Sequence, residues 1–213
     1  MSHGVHAVQH EVEHQIEHDN EHGGGHGDAT KINKRVALLI AVIALFLAFS
    51  ETLGKSAQTA ALNYQIEASN LWNFFQAKNI RRTSTIIASE QAKLDLIGAA
   101  DAAQKAAIGK QVDEWTKTAA RYRSEPEAAG GKGEGTTELS RRALEKEHER
   151  DESLAKYHHY EIASAAFQIG IVLASATVIT GMVVLAFISA GLGVAGLAFM
   201  AIGLFAPHAV HLF

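Results

Sequence analysis

The sequence predicts an all-α membrane protein with three transmembrane helices and a long extramembrane helical insert, a hairpin or coiled coil, between spans one and two. Three observations support this fold class: an apolar run near the N-terminus, a second apolar region that reaches the C-terminus, and a polar region of helix-forming composition between them. The predicted segments are a histidine-rich acidic tail at 1–30, the first span at 31–54, the insert at 55–160 and two further spans within 161–213.

Charged residues are strongly segregated along the chain. From Ile162 to Phe213 there is no Asp, Glu, Lys or Arg, whereas the region from Thr52 to Glu161 has equal numbers of acidic and basic side chains. A nucleic-acid groove needs an excess of basic residues, so no nucleic-acid partner is expected. The absence of cysteine excludes disulfides, thiolate metal sites and thiol nucleophiles.

The first apolar run extends from Val36 to Ser50. With Ile32 and Leu53 it approaches the ~20 residues that cross a hydrocarbon core of ~30 Å. The competing interpretation is a secretory signal peptide, for which Ala48-Phe-Ser50 resembles a cleavage site. We favour a retained anchor in the lipid bilayer, because the apolar run begins far from the N-terminus and the helical pattern continues beyond it.

The C-terminal apolar region is too long for one span. We predict a turn at Ser189-Ala-Gly-Leu-Gly193, which gives spans at about 163–188 and 194–210. The third span is the shorter one, and Pro207 lies near its end. The alternative is the buried core of a soluble domain, but such a long stretch without a charged residue is exceptional in a soluble protein of this size.

Basic residues near the span ends predict the orientation. Lys31, Lys34 and Arg35 precede the first span, whereas only Lys55 and Lys156 are similarly close on its other side. Because basic residues concentrate on the cytoplasmic side, we expect a cytoplasmic N-terminus and an insert on the opposite side of the membrane.

The insert is predicted to be helical along most of its length. The first membrane helix continues outward, a second helix runs from about Ala102 to Arg123, and a third opens near Thr137 and enters the second span. The glycine-rich segment 129–135 separates the last two. An imperfect apolar stripe, more typical of packing than of a cofactor site, consists of Leu62, Ile66, Trp72, Phe75, Ile80, Ile87, Leu94 and Ile97.

Three parts of the sequence resemble one known family. They are the run from Ala37 to Ser50, the segment from Ala60 to Arg82 that contains Glu67-Ala-Ser-Asn-Leu-Trp-Asn-Phe-Phe-Gln-Ala-Lys78, and His159-Tyr-Glu-Ile-Ala-Ser164 before the apolar tail. The chain from about Lys31 onward resembles an uncharacterised bacterial membrane-protein family, domain of unknown function 4337. The resemblance implies a three-span protein of the bacterial inner membrane and implies no catalytic residue. In such a membrane, the orientation predicted from the basic residues places the insert in the periplasm.

The N-terminal tail has a histidine at every fourth position. On a helix, residues i and i+4 lie above one another, so neighbouring imidazoles in such a tail can chelate Zn, Ni or Cu, although no pair makes a closed four-ligand site. The alternatives are a solvated acidic tail with a weak apolar stripe, or pH sensing. No cofactor is required. The candidate ligands are His6, His10, His14, His18, His22 and His26.

Polar residues also cluster at the predicted membrane boundary. If the first two spans pair, Glu51 can meet His158, His159 or Lys156, and Glu161 lies beside them. The simpler alternative is that these side chains reach the lipid headgroups and anchor the helices there.

We expect a homo-oligomer or a larger membrane complex. Small residues let membrane helices approach closely, and large apolar residues of the insert offer a second contact surface. The candidate contact residues are Gly170, Ala174, Gly196 and Gly203 in the spans, and Trp72, Phe75, Ile80 and Ile87 in the insert.

The sequence contains no phosphate-binding glycine loop, metalloprotease helix motif or nucleophile elbow. The predicted function is therefore that of a structural or accessory membrane protein without catalysis. One alternative is divalent-metal binding or buffering through the tail. A weaker one is a small transporter or channel, because only Ser164, Gln168 and Ser175 form a polar line in the spans.

Overall fold

The structure, a computed structural model, describes residues 27–209, with side chains from residue 31 onward. This part of the chain is helical throughout, apart from short connections. The helices are α1 (Gly27–Gly98), α2 (Ala102–Arg123), the short α3 (Ala128–Gly131), α4 (Thr136–Thr180) and α5 (Val183–Phe205). Three of them, α1, α4 and α5, are long and apolar enough to cross a membrane, which confirms the predicted all-helical class and the three candidate spans.

The predicted helix boundaries of the polar region agree with the structure. Helix α1 continues without interruption beyond the first apolar run, and α4 runs from the glycine-rich segment into the second apolar run. Asp101 caps α2 by accepting a hydrogen bond from the backbone N–H of Gln104 at 3.3 Å. Between α2 and α4, Ala129 and Gly130 have positive φ angles of 54° and 66°, so the chain turns there.

The predicted turn at Ser189–Gly193 is wrong. The chain turns at Gly181, whose φ of 72° is in the left-handed region, and α5 already begins at Val183. Ser189 and Gly193 instead lie buried within α5, where a small side chain permits close helix contact. Helix α5 has 23 residues, enough for a complete crossing, so the third candidate span is longer than predicted.

The described chain forms two compact units, which we call the span unit (27–60 and 152–209) and the insert unit (61–151). The core of the span unit joins one face of α1 to one face of α4. Its buried side chains recur three or four residues apart, as the faces of two packed helices require. They are Val36, Ile40, Ile43 and Leu47 from α1, and Ala163, Phe167, Ile171 and Ala174 from α4.

In the insert unit, α1 has one partner helix at a time. The ammonium of Lys146 on α4 lies 5.0 Å from the ring centroid of Tyr64. Farther along, Lys78 lies over the ring of Tyr122 on α2 at 5.5 Å. The connection between α1 and α2 is short, which makes them antiparallel neighbours. The insert is therefore a long helix paired first with α4 and then with α2.

Candidate functional site

Helix α1 has two contrasting faces in the insert unit. Its inward positions recur at alternating spacings of three and four residues. Small or polar side chains fill most of them. The buried members are Ala61, Ala68, Lys78, Ser89, Ala92 and Ala99, and the half-buried members are Tyr64, Leu71, Phe75, Arg82, Thr85 and Leu96.

Six large aliphatic residues lie on the outward face. Ile80 is 67% exposed and Ile87 is 64% exposed, whereas alanine and serine occupy most of the buried positions on the inward face. Their exposure follows from the single partner helix at each level, which covers only one side of α1. We call the following set the outer stripe: Leu62, Ile66, Ile80, Ile87, Leu94 and Ile97.

The predicted apolar stripe therefore divides between two faces. Trp72 and Phe75 pack inside the insert unit, with ring centroids 5.4 Å apart in an edge-to-face arrangement. The indole Nε1 of Trp72 donates a hydrogen bond to the Glu147 carboxylate at 2.8 Å. These two residues stabilise the unit, whereas Ile80 and Ile87 remain available to a partner.

A buried cation holds the point where α2 ends and α4 begins. The Lys78 side chain is only 9% exposed, and its Nζ lies 3.2 Å from Glu125 and 3.8 Å from Glu134. The same ammonium lies 5.6 Å from the ring centroid of Phe74. Two carboxylates and neighbouring aromatic rings compensate for its removal from water. The sequence gives no sign of this burial, because an isolated lysine on a helix is usually exposed.

Glu138 joins the two ends of the glycine-rich connection through hydrogen bonds. Its carboxylate accepts hydrogen bonds from the Ser124 hydroxyl and from the Glu125 backbone N–H. The Ser124 bond is the main cause that lowers the pKa of Glu138 from its ordinary value of 4.5. Gly133 and Gly135 have no side chains to obstruct this carboxylate: a Cβ on Gly133 would lie 2.5 Å from the Glu138 Cγ.

A polar groove of about 580 Å³ lies beside this connection and is lined in part by Arg141, Arg142 and Lys146. Arg142 and Lys146 already have partners within the chain. Arg142 donates to the Gly133 carbonyl at 3.0 Å, and Lys146 pairs with Glu149 at 2.7 Å and Glu67 at 3.2 Å. The Glu149 bond is the main cause that raises the pKa of Lys146. The lysine therefore stays protonated and acts as a structural cation.

Polar residues of the span unit join its helices through hydrogen bonds. The buried Ser50 hydroxyl donates to the Tyr160 carbonyl at 2.8 Å. Beside it, Glu51 accepts a hydrogen bond from Gln168 at 3.3 Å, and both residues line a cavity of about 350 Å³. The predicted partners of Glu51 were Lys156, His158 or His159, so Gln168 replaces them. Gln168 lies nine residues beyond His159 on α4, and its amide nitrogen donates to the Glu51 carboxylate.

The predicted boundary residues of α4 have separate environments. His158 Nδ1 lies 3.8 Å from the Glu161 carboxylate, and both side chains are accessible. His159 is 1% exposed, and its Nε2 lies 3.0 Å from the carbonyl of Pro207, to which the Nε2–H tautomer donates. Its ring stacks on Phe199 at 6.4 Å. His159 thus fastens the end of α5 to α4.

The small residues predicted to contact other copies pack inside this chain. Gly170 accepts a hydrogen bond through its carbonyl from Ser189 at 2.7 Å. A Cβ on Gly196 would lie 2.6 Å from the Phe167 ring, and one on Gly203 would lie 2.9 Å from the Cβ of His159. Ala174 is fully buried in the core. Within the described chain these small faces contact neighbouring helices of the same chain. Their predicted contact with other copies stays a prediction.

The six histidines of the predicted metal site, His6 to His26, lie outside the described residues. Between residues 27 and 209 the structure brings no three histidine, aspartate or glutamate side chains together in a group that could hold a metal ion.

The model of one protein family matches the chain. It is described as a domain of unknown function, DUF4337, and it covers residues 32–206, which include both units. No curated protein and no solved structure matches the sequence. The match extends over far more than half of the chain and confirms the resemblance noted in the sequence: this protein belongs to the DUF4337 family.

Proposed function

We propose that this protein is a structural or accessory protein of the bacterial inner membrane, without catalysis, which docks to a membrane-bound partner through the outer stripe. The observation that supports this proposal is the inverted arrangement of α1 in the insert unit. Alanine and serine occupy most of the buried inward positions, while the isoleucine and leucine residues of the outer stripe are more than half exposed.

The surroundings of the outer stripe indicate that it is not a lipid contact. Charged side chains of α1 such as Arg81, Glu90 and Asp95 are exposed along the same segment, so water surrounds the stripe in a single chain. Large contiguous apolar patches are rare on monomeric proteins in water and are typical of interaction surfaces. A partner that covers the stripe gains about 25 cal/mol for each Å² of apolar surface removed from water.

Charge substitution on the outer stripe tests this proposal. The protein is extracted from its native membranes in mild detergent, and the mass of the extracted particle is measured by light scattering. Ile80→Glu and Ile87→Glu should each shift the particle toward the mass of a single chain, because a carboxylate in an apolar contact loses its hydration.

Arg81→Glu is the matched control, since Arg81 is exposed on the same helix beside Ile80 but does not belong to the stripe. It should leave the mass unchanged. Equal masses for all four proteins would contradict docking through this surface.

The proposed topology places the N-terminus in the cytoplasm and the insert unit in the periplasm. The support is the basic cluster of Lys31, Lys34 and Arg35 before the first apolar run. A reporter fused at Gly131 should be active on the side of the membrane opposite to one fused at the N-terminus. Activity of both reporters on the same side would contradict an odd number of crossings between them.

A further inference from the structure

Most residues of the outer stripe are spaced at multiples of seven along the sequence. Ile80, Ile87 and Leu94 follow one another at intervals of seven residues, and Ile66 precedes Ile80 by two such intervals. Each is about 60% exposed or more. A repeat of seven keeps residues on one line along a supercoiled helix, whereas other spacings drift around it. The line therefore suits a second helix that runs alongside α1.

The inward face of α1 follows the same period. Its positions alternate by three and four residues from Ala61 to Ala99, which is the pattern of a coiled-coil seam. Since the two faces have the same repeat, the outer stripe remains on the side opposite the intrachain partner over the whole insert unit. A partner on the stripe would meet no helix of this chain.

The position missing from the series is occupied by Asn73, which lies seven residues after Ile66 and seven before Ile80 and is exposed. A single asparagine among the apolar core positions of a coiled coil lowers its stability but fixes register and the number of strands. The amide both donates and accepts hydrogen bonds, so the same residue on a second copy satisfies it.

The borders of the stripe are suited to self-contact. They consist mostly of neutral side chains, including Gln76, Thr83, Ser84 and Gln91. Glu90 is charged, and it is paired with Lys93 at 2.7 Å within the same chain. Two identical surfaces therefore bring few like charges together, which is the condition that an isologous contact must meet.

We propose that the occupant of the outer stripe is a second copy of this chain, aligned parallel and in register, with Asn73 opposite Asn73. This inference rests on the proposed function and specifies its partner. Copies inserted into one membrane share one orientation, because the sequence that directs insertion is the same in each. Their α1 helices then run in the same direction, and equal residue numbers meet across a two-fold axis.

Single-cysteine variants test the register, since the chain has no cysteine of its own. Ile80→Cys and Ile87→Cys are purified, reconstituted into liposomes and oxidised. Each should form a covalent dimer in high yield, because facing residues of a parallel pair come within the distance that a disulfide spans. Arg81→Cys is the control on the side of the helix and should remain monomeric. Dimers of Arg81→Cys in equal yield would overturn the assigned face.

Mixtures of differently tagged variants distinguish the remaining arrangements. Preferential linkage of Ile66→Cys to Leu94→Cys, with little linkage of either variant to itself, would indicate antiparallel chains and overturn the proposal. Absence of any linkage, together with a mass that still falls in Ile80→Glu, would overturn the second copy as occupant and leave docking to a different chain. If the mass also stays constant, the proposed function fails as well.

Asn73→Val tests the register position separately. In the wild type we expect light scattering to give one particle with the mass of a dimer. The Asn73→Val variant should also give particles larger than a dimer, because an apolar residue removes the restriction on strand number. A single dimeric mass for Asn73→Val would overturn the role of Asn73.

Discussion

In both the span unit and the insert unit, small residues face inward and several large apolar residues are exposed. The two units differ in the charged residues near their exposed apolar side chains. In the span unit, Gly170 and Gly196 bring helices together while Phe187 is 74% exposed. In the insert unit, Ala68 and Ala92 face inward while Ile80 is 67% exposed. The sequence around Phe187 has no charged residues, whereas α1 has exposed charged side chains along the insert unit. The first surface suits lipid, and we propose that a partner protein covers the second.

The polar contacts between helices also differ between the two units. In the span unit, the hydroxyls of Ser50 and Ser189 donate to backbone carbonyls of another helix. In the insert unit, charged pairs such as Lys78 with Glu125 join the helices. Neutral hydrogen bonds avoid the cost of an ion in hydrocarbon, whereas an ion pair near water is tolerated.

The largest expected effect comes from adding a side chain where the spans are closest. Gly196→Val places a Cβ where the Phe167 ring already lies, and should lower the free energy of unfolding by about 3 kcal/mol. Gly191→Val is the control in the same helix, because no atom lies within 4 Å of a Cβ built there. Unfolding in detergent followed by circular dichroism measures both. Equal stability of the two variants would contradict the close contact of α5 with α4.

The buried cation of the insert unit should have the next largest effect. Lys78→Met leaves Glu125 and Glu134 without their ammonium partner and should cost about 2 kcal/mol, less than a fully buried pair because both carboxylates are partly exposed.

Lys110→Met removes a cation whose side chain is 80% exposed and should change the free energy by less than about 0.5 kcal/mol. Adding Glu125→Gln to Lys78→Met should restore part of the loss. A Lys78 variant as stable as the Lys110 variant would show that the pair is not coupled to folding.

Some features of the fold could be predicted from the sequence, whereas the turn at Gly181 and the role of Lys78 could not. Helix-forming composition and apolar runs predicted α2 and the candidate spans, because those signals are local. The turn at Gly181 was missed because glycine has two uses in a membrane hairpin, a left-handed turn and a close helix contact, and the sequence does not distinguish them. The role of Lys78 depends on residues some fifty positions away, which no local pattern reveals.

The outer stripe was predicted in part. Ile80 and Ile87 were identified as apolar contact residues, but the same pattern included Trp72 and Phe75, which face inward. Separating the two faces required knowing which side of α1 its partner helix covers. The residue pattern does not show which face the partner helix covers, because the residues of both faces of α1 recur at helical spacing.

Acid should weaken the insert unit through Glu138, by a smaller amount. Hydrogen bonding holds the pKa of this carboxyl below 4.5 in the folded protein. Its contribution is therefore complete above about pH 4.5 and is lost as the pH falls through the lower, folded value. At pH 7, Glu138→Gln should reduce stability by about 1 kcal/mol. Thermal unfolding of both proteins from pH 7 to pH 3 should show the difference disappearing in acid, and a constant difference would contradict this origin.

The smallest effect on stability is expected from removing residues 1–26, and the change tests the histidine repeat. These residues lie outside the described part of the chain. We expect their deletion to leave helix content and the unfolding temperature nearly unchanged. Metal binding, if it belongs to the repeat, should be lost, because imidazoles four residues apart provide the paired nitrogen ligands that zinc and nickel prefer.

Calorimetric titration of the full-length and truncated proteins with zinc measures this directly. A variant with His10, His14 and His18 replaced by glutamine serves as the control that retains the length of the tail. Equal zinc uptake by all three proteins would remove the repeat as a metal site, and a large fall in unfolding temperature after truncation would show that the tail contributes to the fold.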